Sequence, residues 1–244
     1  MSSIGGVRGL EAFPPDEDVE YFILGDGGVA KYTWNFVQTM AEHPFMQEGY
    51  TRYIREVRRK TRGFYVNSPE GKNGLDLPRI STEQLKEMDP DKFRFIPMLL
   101  RADVRAALIQ ECESLNFRPA LGIFHPTAFV DLSANLENPY GTNISPNALI
   151  DKDSHVGAYA TIANNTTVGH DALVGRFCSL FSNSLVGGEC VLGDCVEVGS
   201  GASINHGVRV GANCKIAMGA AVFKDMPDNS SAVGNPARIT VGSA

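Results

Sequence analysis

The chain has 244 residues, 43% apolar and 20% charged, which describes a folded globular protein with room for two modest domains and excludes collagen-like and disordered classes. A formal net charge of −6 argues against a nucleic-acid partner, because phosphate neutralisation needs a clustered positive surface. The five cysteines are odd in number and lack paired CxxC spacing, so neither a disulfide framework nor a zinc site is indicated.

In chain order, residues 1–19 hold Pro14-Pro15 and several acids and read as a flexible tail rather than a leader. No apolar run reaches the roughly 18 residues of a membrane span, so the expectation is a cytoplasmic protein without a membrane partner. Residues 21–24 (Tyr-Phe-Ile-Leu) predict a buried strand, followed by Gly25-Asp26-Gly27-Gly28 and an amphipathic helix over 30–40. A strand, a glycine turn and a helix can bring backbone N–H groups to a phosphate, but the same residues also make a plain tight turn. Next comes a basic run of Arg52, Arg55, Arg58, Arg59, Lys60 and Arg62, read first as a solvated helix face and alternatively as a seat for a phosphate-bearing ligand. Phe64-Tyr65-Val66 and Phe93 to Leu99 predict strands and Ala102 to Leu115 a helix. Residues 20–122 therefore form a small α/β domain with a Rossmann-like parallel sheet.

Residues 123–244 are organised by a period of six. Stepping by six from Ile144 gives Ile150, Val156, Ile162, Val168, Val174, Leu180, Val186, Leu192, Val198, Ile204, Val210, Ile216 and Val222, aliphatic at every step. Two residues before these stand small side chains such as Ala148, Ala172, Cys178, Cys190 and Cys214, which makes three of the cysteines packing residues. Glycine recurs one residue after the aliphatic, at 157, 169, 175, 187, 193, 199 and 211, where it is expected to relieve costly turn angles. Six-residue spacing cannot hold one face of an α-helix. Short strands joined by tight turns, three to a coil, with coils stacked at the interstrand spacing, make a parallel β-helix. Phe124, Val130 and Leu136 begin the pattern out of phase, and Asn138-Pro139-Tyr140-Gly141 absorbs the slip.

With these residues in view, the chain resembles the sialic acid O-acetyltransferase and nucleotide-aminosugar N-acetyltransferase family from Tyr21 onward. Val168-Gly169-His170-Asp171-Ala172-Leu173-Val174-Gly175 is similar to the family's stretch around its catalytic histidine. Gly219 to Pro227 with Gly234-Asn235-Pro236-Ala237-Arg238 resembles an ending shared by many hexapeptide acyltransferases, and His125-Pro126-Thr127-Ala128 the entry to their β-helix. The resemblance implies a left-handed coil, a homotrimer, and acetyl-CoA as cosubstrate in a cleft between neighbouring β-helices. It further implies transfer to an amine or hydroxyl of a sugar, sugar nucleotide or related small metabolite. It makes His170 the general base, Asp171 its partner and the amide of Gly188 an oxyanion donor. Ser179, Gly188, Ser200 and Met218 become cofactor contacts, and Gly25, Gly27, Gly28 and Val29 substrate contacts, with no metal.

Several positions depart from the family. A second histidine that contacts acetyl-CoA in the family is replaced by Ser179, whose hydroxyl can still hydrogen-bond. In the family's nucleotide-sugar site a turn histidine is replaced by Val29, an aspartate pair by Val66-Asn67 and a glycine by Leu100, which suggests that the acceptor is not a UDP-sugar held in the usual way. His206 shares the register of His170 two coils on, and strand spacing predicts about 10 Å between them, so it reads as a second-choice base or a surface residue. His43, His125 and His155 read as structural. Two rivals stay open at this point, a non-catalytic trimeric scaffold and a carbonic-anhydrase-type metalloenzyme on the same β-helix.

Overall fold

A computed structural model describes residues 18–25, 28–40, 42–43, 48–66 and 76–241; the tail expected over 1–19 lies almost wholly outside them. The described residues form two compact units that part between Gly122 and Ile123.

The first unit runs β1 (Glu20–Leu24), α1 (Gly28–Met40), α2 (Glu48–Lys60), β2 (Thr61–Tyr65), β3 (Arg79–Ile80), α3 (Thr82–Glu87), β4 (Phe93–Pro97), α4 (Ala102–Ser114) and β5 (Arg118–Pro119). Its sheet is parallel, in the order β3-β2-β1-β4-β5. The continuous apolar run of β1 follows from its central place, where both faces are covered and Phe22, Ile23 and Leu24 are fully buried. The chain order reverses between β1 and β4, so a crevice opens where both strands end, at Gly25 and at Met98 to Leu100.

In α2, Tyr50, Tyr53, Ile54 and Val57 recur at helical spacing and face the core, while Arg52, Arg55, Arg58 and Arg59 lie on the exposed side. Most of the basic run is therefore a solvated helix face. Its charges are engaged locally: Glu56, held below the usual carboxylate range chiefly by its Arg59 hydrogen bond, also meets Lys60, and Arg62 pairs with Glu20 of β1. Two polar anchors have no counterpart in the sequence pattern. Arg105, fully buried in α4, donates to the Leu99 and Leu100 carbonyls and ties down the loop that follows β4. Tyr65 donates to Glu111 at 2.6 Å, and burial with that bond pushes its phenol up to about 12.

The second unit is a parallel β-helix of two-residue strands on three faces. Face one carries Asn143–Ile144, Thr161–Ile162, Ser179–Leu180, Glu197–Val198 and Lys215–Ile216, closed by Ser230–Val233 and Arg238–Val241. Face two carries Phe129–Val130, Leu149–Ile150, Thr167–Val168, Leu185–Val186, Ser203–Ile204 and Ala221–Val222. Face three carries Asn135–Leu136, His155–Val156, Leu173–Val174, Val191–Leu192 and Arg209–Val210. Each aliphatic of the period points inward and is nearly solvent-free, with Ala172, Cys178, Cys190 and Cys214 filling the space at the corners. The three thiols donate weakly to the Gly193, Asn205 and Pro227 carbonyls. The first coil pairs Phe129 with Leu149 and Asn135 with His155, whereas later coils pair Thr161 with Ser179, so two extra residues sit between Leu136 and Asn143, within the segment expected to absorb them.

The glycines that follow the aliphatics have a different role from the one expected. The left-handed backbone falls two residues further on, at Tyr159, Asp171, Phe177, Glu189, Cys195, Gly201 and Asn213, with φ between 57° and 68°. The glycines themselves sit where stacked coils touch: a Cβ on Gly169 would lie 2.6 Å from the Gly188 nitrogen, and one on Gly175 2.5 Å from Gly193. Close approach of backbone to backbone, rather than turn strain, excludes a side chain there.

Candidate active site

His170, Gly188 and His206 occupy equivalent corner positions on three successive coils, because Val168, Val186 and Ile204 pair in register immediately before them. They form the edge between faces two and three. At this corner the left-handed φ of 57° at Asp171, tolerable for a short polar residue, sets its carboxylate beside the preceding ring. His170 Nδ1 is 2.8 Å from Asp171 Oδ2, and about half of each side chain is exposed. That bond fixes the ring and leaves Nε2 as the free nitrogen.

Nε2 lies over Gly188. A Cβ there would stand 2.6 Å from it, so the absence of a side chain at 188 is what lets the imidazole settle in this position. The Glu189 amide donates to the His170 carbonyl at 2.9 Å and locks the two coils together, while the Gly188 N–H meets no acceptor among the described residues. An oriented imidazole and a residue whose backbone N–H has no acceptor among the described residues thus stand on successive coils of one edge.

Across the same glycine stands His206. Its ring centre is 6.1 Å from that of His170, not the roughly 10 Å expected from strand spacing. The rings lean toward each other over Gly188, an effect strand spacing alone does not contain. Glu189 Oε2 is 3.7 Å from His206 Nε2. His155 is elsewhere, on face three, with Nδ1 2.9 Å from Asn135 Nδ2, and His125 bonds Thr127 at 2.9 Å. Among the described residues no group of three or more His, Cys, Asp or Glu is placed to hold a metal ion.

Ser200 and Met218 belong to another edge, between faces one and two, beside a groove of about 370 Å³ lined also by Phe181, Gly199, Ala217 and Val233. An asparagine ladder runs up this edge, with Asn147 bonding Asn165 at 3.3 Å and Asn165 bonding Asn183 at 3.2 Å. It stops where Gly201 and Gly219 follow. Both have positive φ and open space for 4 Å around the point where a Cβ would stand, which leaves bare backbone beside the groove. Ser179 is not part of this surface. Its side chain is fully buried on face one, and Phe181, two residues later, is the one that reaches the groove.

In the first unit, Gly25 lies at the end of β1 with φ 110°, but its N–H donates to the Tyr65 carbonyl at 3.0 Å, so it offers no donor to a phosphate. A Cβ there would strike Leu99 at 2.8 Å; Gly25 is a packing glycine of the turn. Gly28 and Val29 open α1, while Gly27 and the departure at Asn67 lie outside the described residues.

No family model matches the chain. The Saccharomyces cerevisiae protein YJL218W, named as a candidate acetyltransferase, is 46% identical over 46 residues, which is 19% of this chain and 24% of that relative's length. Solved structures match far more of it. PerB from Caulobacter crescentus, in complex with CoA and GDP-perosamine, is 24% identical with a TM-score of 0.73, over 91% of this chain and 97% of its own. WeeI from Acinetobacter baumannii is 19% identical with a TM-score of 0.68, over 91% and 100%. The acetyltransferase domain of PglB from Neisseria gonorrhoeae, in complex with acetyl coenzyme A, is 18% identical with a TM-score of 0.61, over 91% and 98%. The chain shares their fold, a small parallel α/β unit followed by a left-handed parallel β-helix.

Proposed function

We propose that this protein is an acetyl-CoA-dependent acetyltransferase acting on an amine or hydroxyl of a sugar or sugar nucleotide, with His170 as general base. The observation that carries the proposal is the His170–Asp171 pair at 2.8 Å, with its free Nε2 turned over Gly188. PerB and the PglB domain, which share the fold, were crystallised with CoA or acetyl coenzyme A, and PerB with a sugar nucleotide. Those ligands set the substrate class proposed here.

Acetyl-CoA supplies a thioester carbonyl. His170 Nε2 removes the proton from the acceptor N–H or O–H as that atom forms its bond to the carbonyl carbon. Asp171 holds the ring by Nδ1 and steadies the imidazolium. The Gly188 N–H faces the charge that develops on the carbonyl oxygen. His170 then returns its proton to the departing thiolate as the carbon–sulfur bond breaks, so the base is regenerated without an acylated residue.

The base and the groove lie on two different edges of the β-helix, with Ser200 and Met218 two and three coils beyond the coil of His170, and both edges bound face two. That face is uncharged along its outward column and exposes Phe129, Leu149 and Leu185. Packing face two of each copy around a threefold axis would cover these side chains and bring the His170 edge of one chain to the Ser200–Met218 groove of the next. A homotrimer with the cosubstrate between chains is therefore part of the proposal. Among the described residues no helix is long and apolar enough to cross a membrane.

CoA binding tests the proposal. At a hundredfold excess over its Kd, CoA should add about 2.7 kcal/mol and raise the melting temperature by about 5–10 °C. An unchanged melting temperature at millimolar CoA would remove the transferase reading and leave the scaffold.

A further inference from the structure

We infer that His206, backed by Glu189, is an acceptor-positioning residue of the His170 site, and that the acceptor it selects carries a hydroxyl on the carbon next to the acetylated group. This deepens the proposed function and rests on it.

The geometry that distinguishes His206 from an ordinary corner histidine is its convergence on the base. Two strand spacings separate the corners of 170 and 206 by about 9.4–9.8 Å, yet the ring centres are 6.1 Å apart with planes at 45°. The intervening corner is Gly188, the only residue type that leaves the space between the rings clear of a side chain. At that separation the rings make no hydrogen bond with each other, since a nitrogen-to-nitrogen bond needs about 2.7–3.2 Å. Each therefore keeps a nitrogen for a third group. Polar atoms on adjacent carbons of one ligand, themselves about a hydrogen-bond length apart, match two such bonds.

The partners of the two rings assign the roles. His170 is held by a 2.8 Å bond that fixes which nitrogen is free, as a base requires. His206 has only the looser Glu189 contact at 3.7 Å, both side chains being more than half exposed, and this leaves the ring free to adjust to a ligand. Its Nδ1 has no partner among the described residues. An imidazole can both donate to and accept from a hydroxyl, which makes a vicinal amino alcohol or diol on a sugar ring the fitting acceptor class.

The test uses two nucleotide-linked 4-amino-4,6-dideoxyhexoses, one with and one without the hydroxyl beside the amine, and follows CoA thiol release. His206→Ala should raise KM for the hydroxylated sugar about tenfold, change KM for the deoxy sugar little, and leave KM for acetyl-CoA as in the wild type. His206→Asn, which keeps a polar group near the Nδ1 position, should recover most of the loss. An equal effect on both sugars, an unchanged KM in His206→Ala, or a kcat loss as large as that of His170→Ala would overturn the inference. Failure of the underlying acetyltransferase reading would show separately, as absence of CoA binding by the wild type.

Discussion

Replacing His170 with alanine should lower kcat for acetyl transfer by about 10²–10⁴-fold while CoA still binds with wild-type affinity. The expectation follows from where the ring stands. Its Nδ1 is committed to Asp171 and its Nε2 is the nitrogen presented over Gly188, so no other described group in contact with that glycine offers an oriented base. His206 lacks the short orienting bond and should not substitute. The groove residues Ser200 and Met218 belong to a different edge, which is why base and cosubstrate binding should separate in the measurement. Steady-state thiol release with a CoA titration alongside checks both halves. A fall in CoA affinity without a fall in kcat would reassign His170 to binding.

The second large effect is expected at a residue without a side chain. Gly188→Ala places a methyl 2.6 Å from His170 Nε2, 2.8 Å from Cε1 and 3.0 Å from Cδ2, so the ring must swing away from its position. The atoms that give way are the end of a flexible side chain, and the fold should survive with a melting temperature near that of the wild type. A base displaced by about 1 Å costs on the order of 10²-fold in rate. Gly169→Ala provides the contrast, because its Cβ meets the Gly188 backbone nitrogen at 2.6 Å and backbone cannot rotate aside. That variant should lose stability first. Equal melting losses in both variants would mean that Gly188 is only a packing glycine.

The β-helix is legible in the sequence because one physical requirement, an aliphatic pointing inward at each strand, repeats at a fixed step from Ile144 to Val222 with no competing pattern. The register also places His170, Gly188 and His206 on one edge. What it does not convey is side-chain direction: the lean of His206 toward His170 depends on an absent side chain at 188, and spacing alone suggests about 10 Å. The repeating glycines read as turn residues because glycine usually marks turns, whereas here the left-handed angle falls two residues later, on side chains as varied as Tyr159, Asp171, Phe177 and Glu189, and the repeating glycines make the coil contacts. The resemblance makes Ser179 an expected cosubstrate contact, but the residue is buried and Phe181 is the one that lines the groove. Arg105 is invisible because a helix-borne arginine reads as solvated unless the carbonyls it serves, here Leu99 and Leu100, are known to converge on it.

The first unit gives less. Its sheet order creates a crevice at the ends of β1 and β4, the usual place for a ligand in such sheets, yet Gly25 spends its N–H on Tyr65. The proposed acceptor class therefore draws nothing from the Gly25 N–H and is argued from the β-helix edge.

The most direct test of the whole account is acetyl-CoA-dependent thiol release by the wild type against a panel of amino sugars, sialic acids and sugar nucleotides. Acceptor-dependent release is expected with at least one sugar, abolished in His170→Ala. Release that is independent of any acceptor, or that persists at the wild-type rate in His170→Ala, would contradict it.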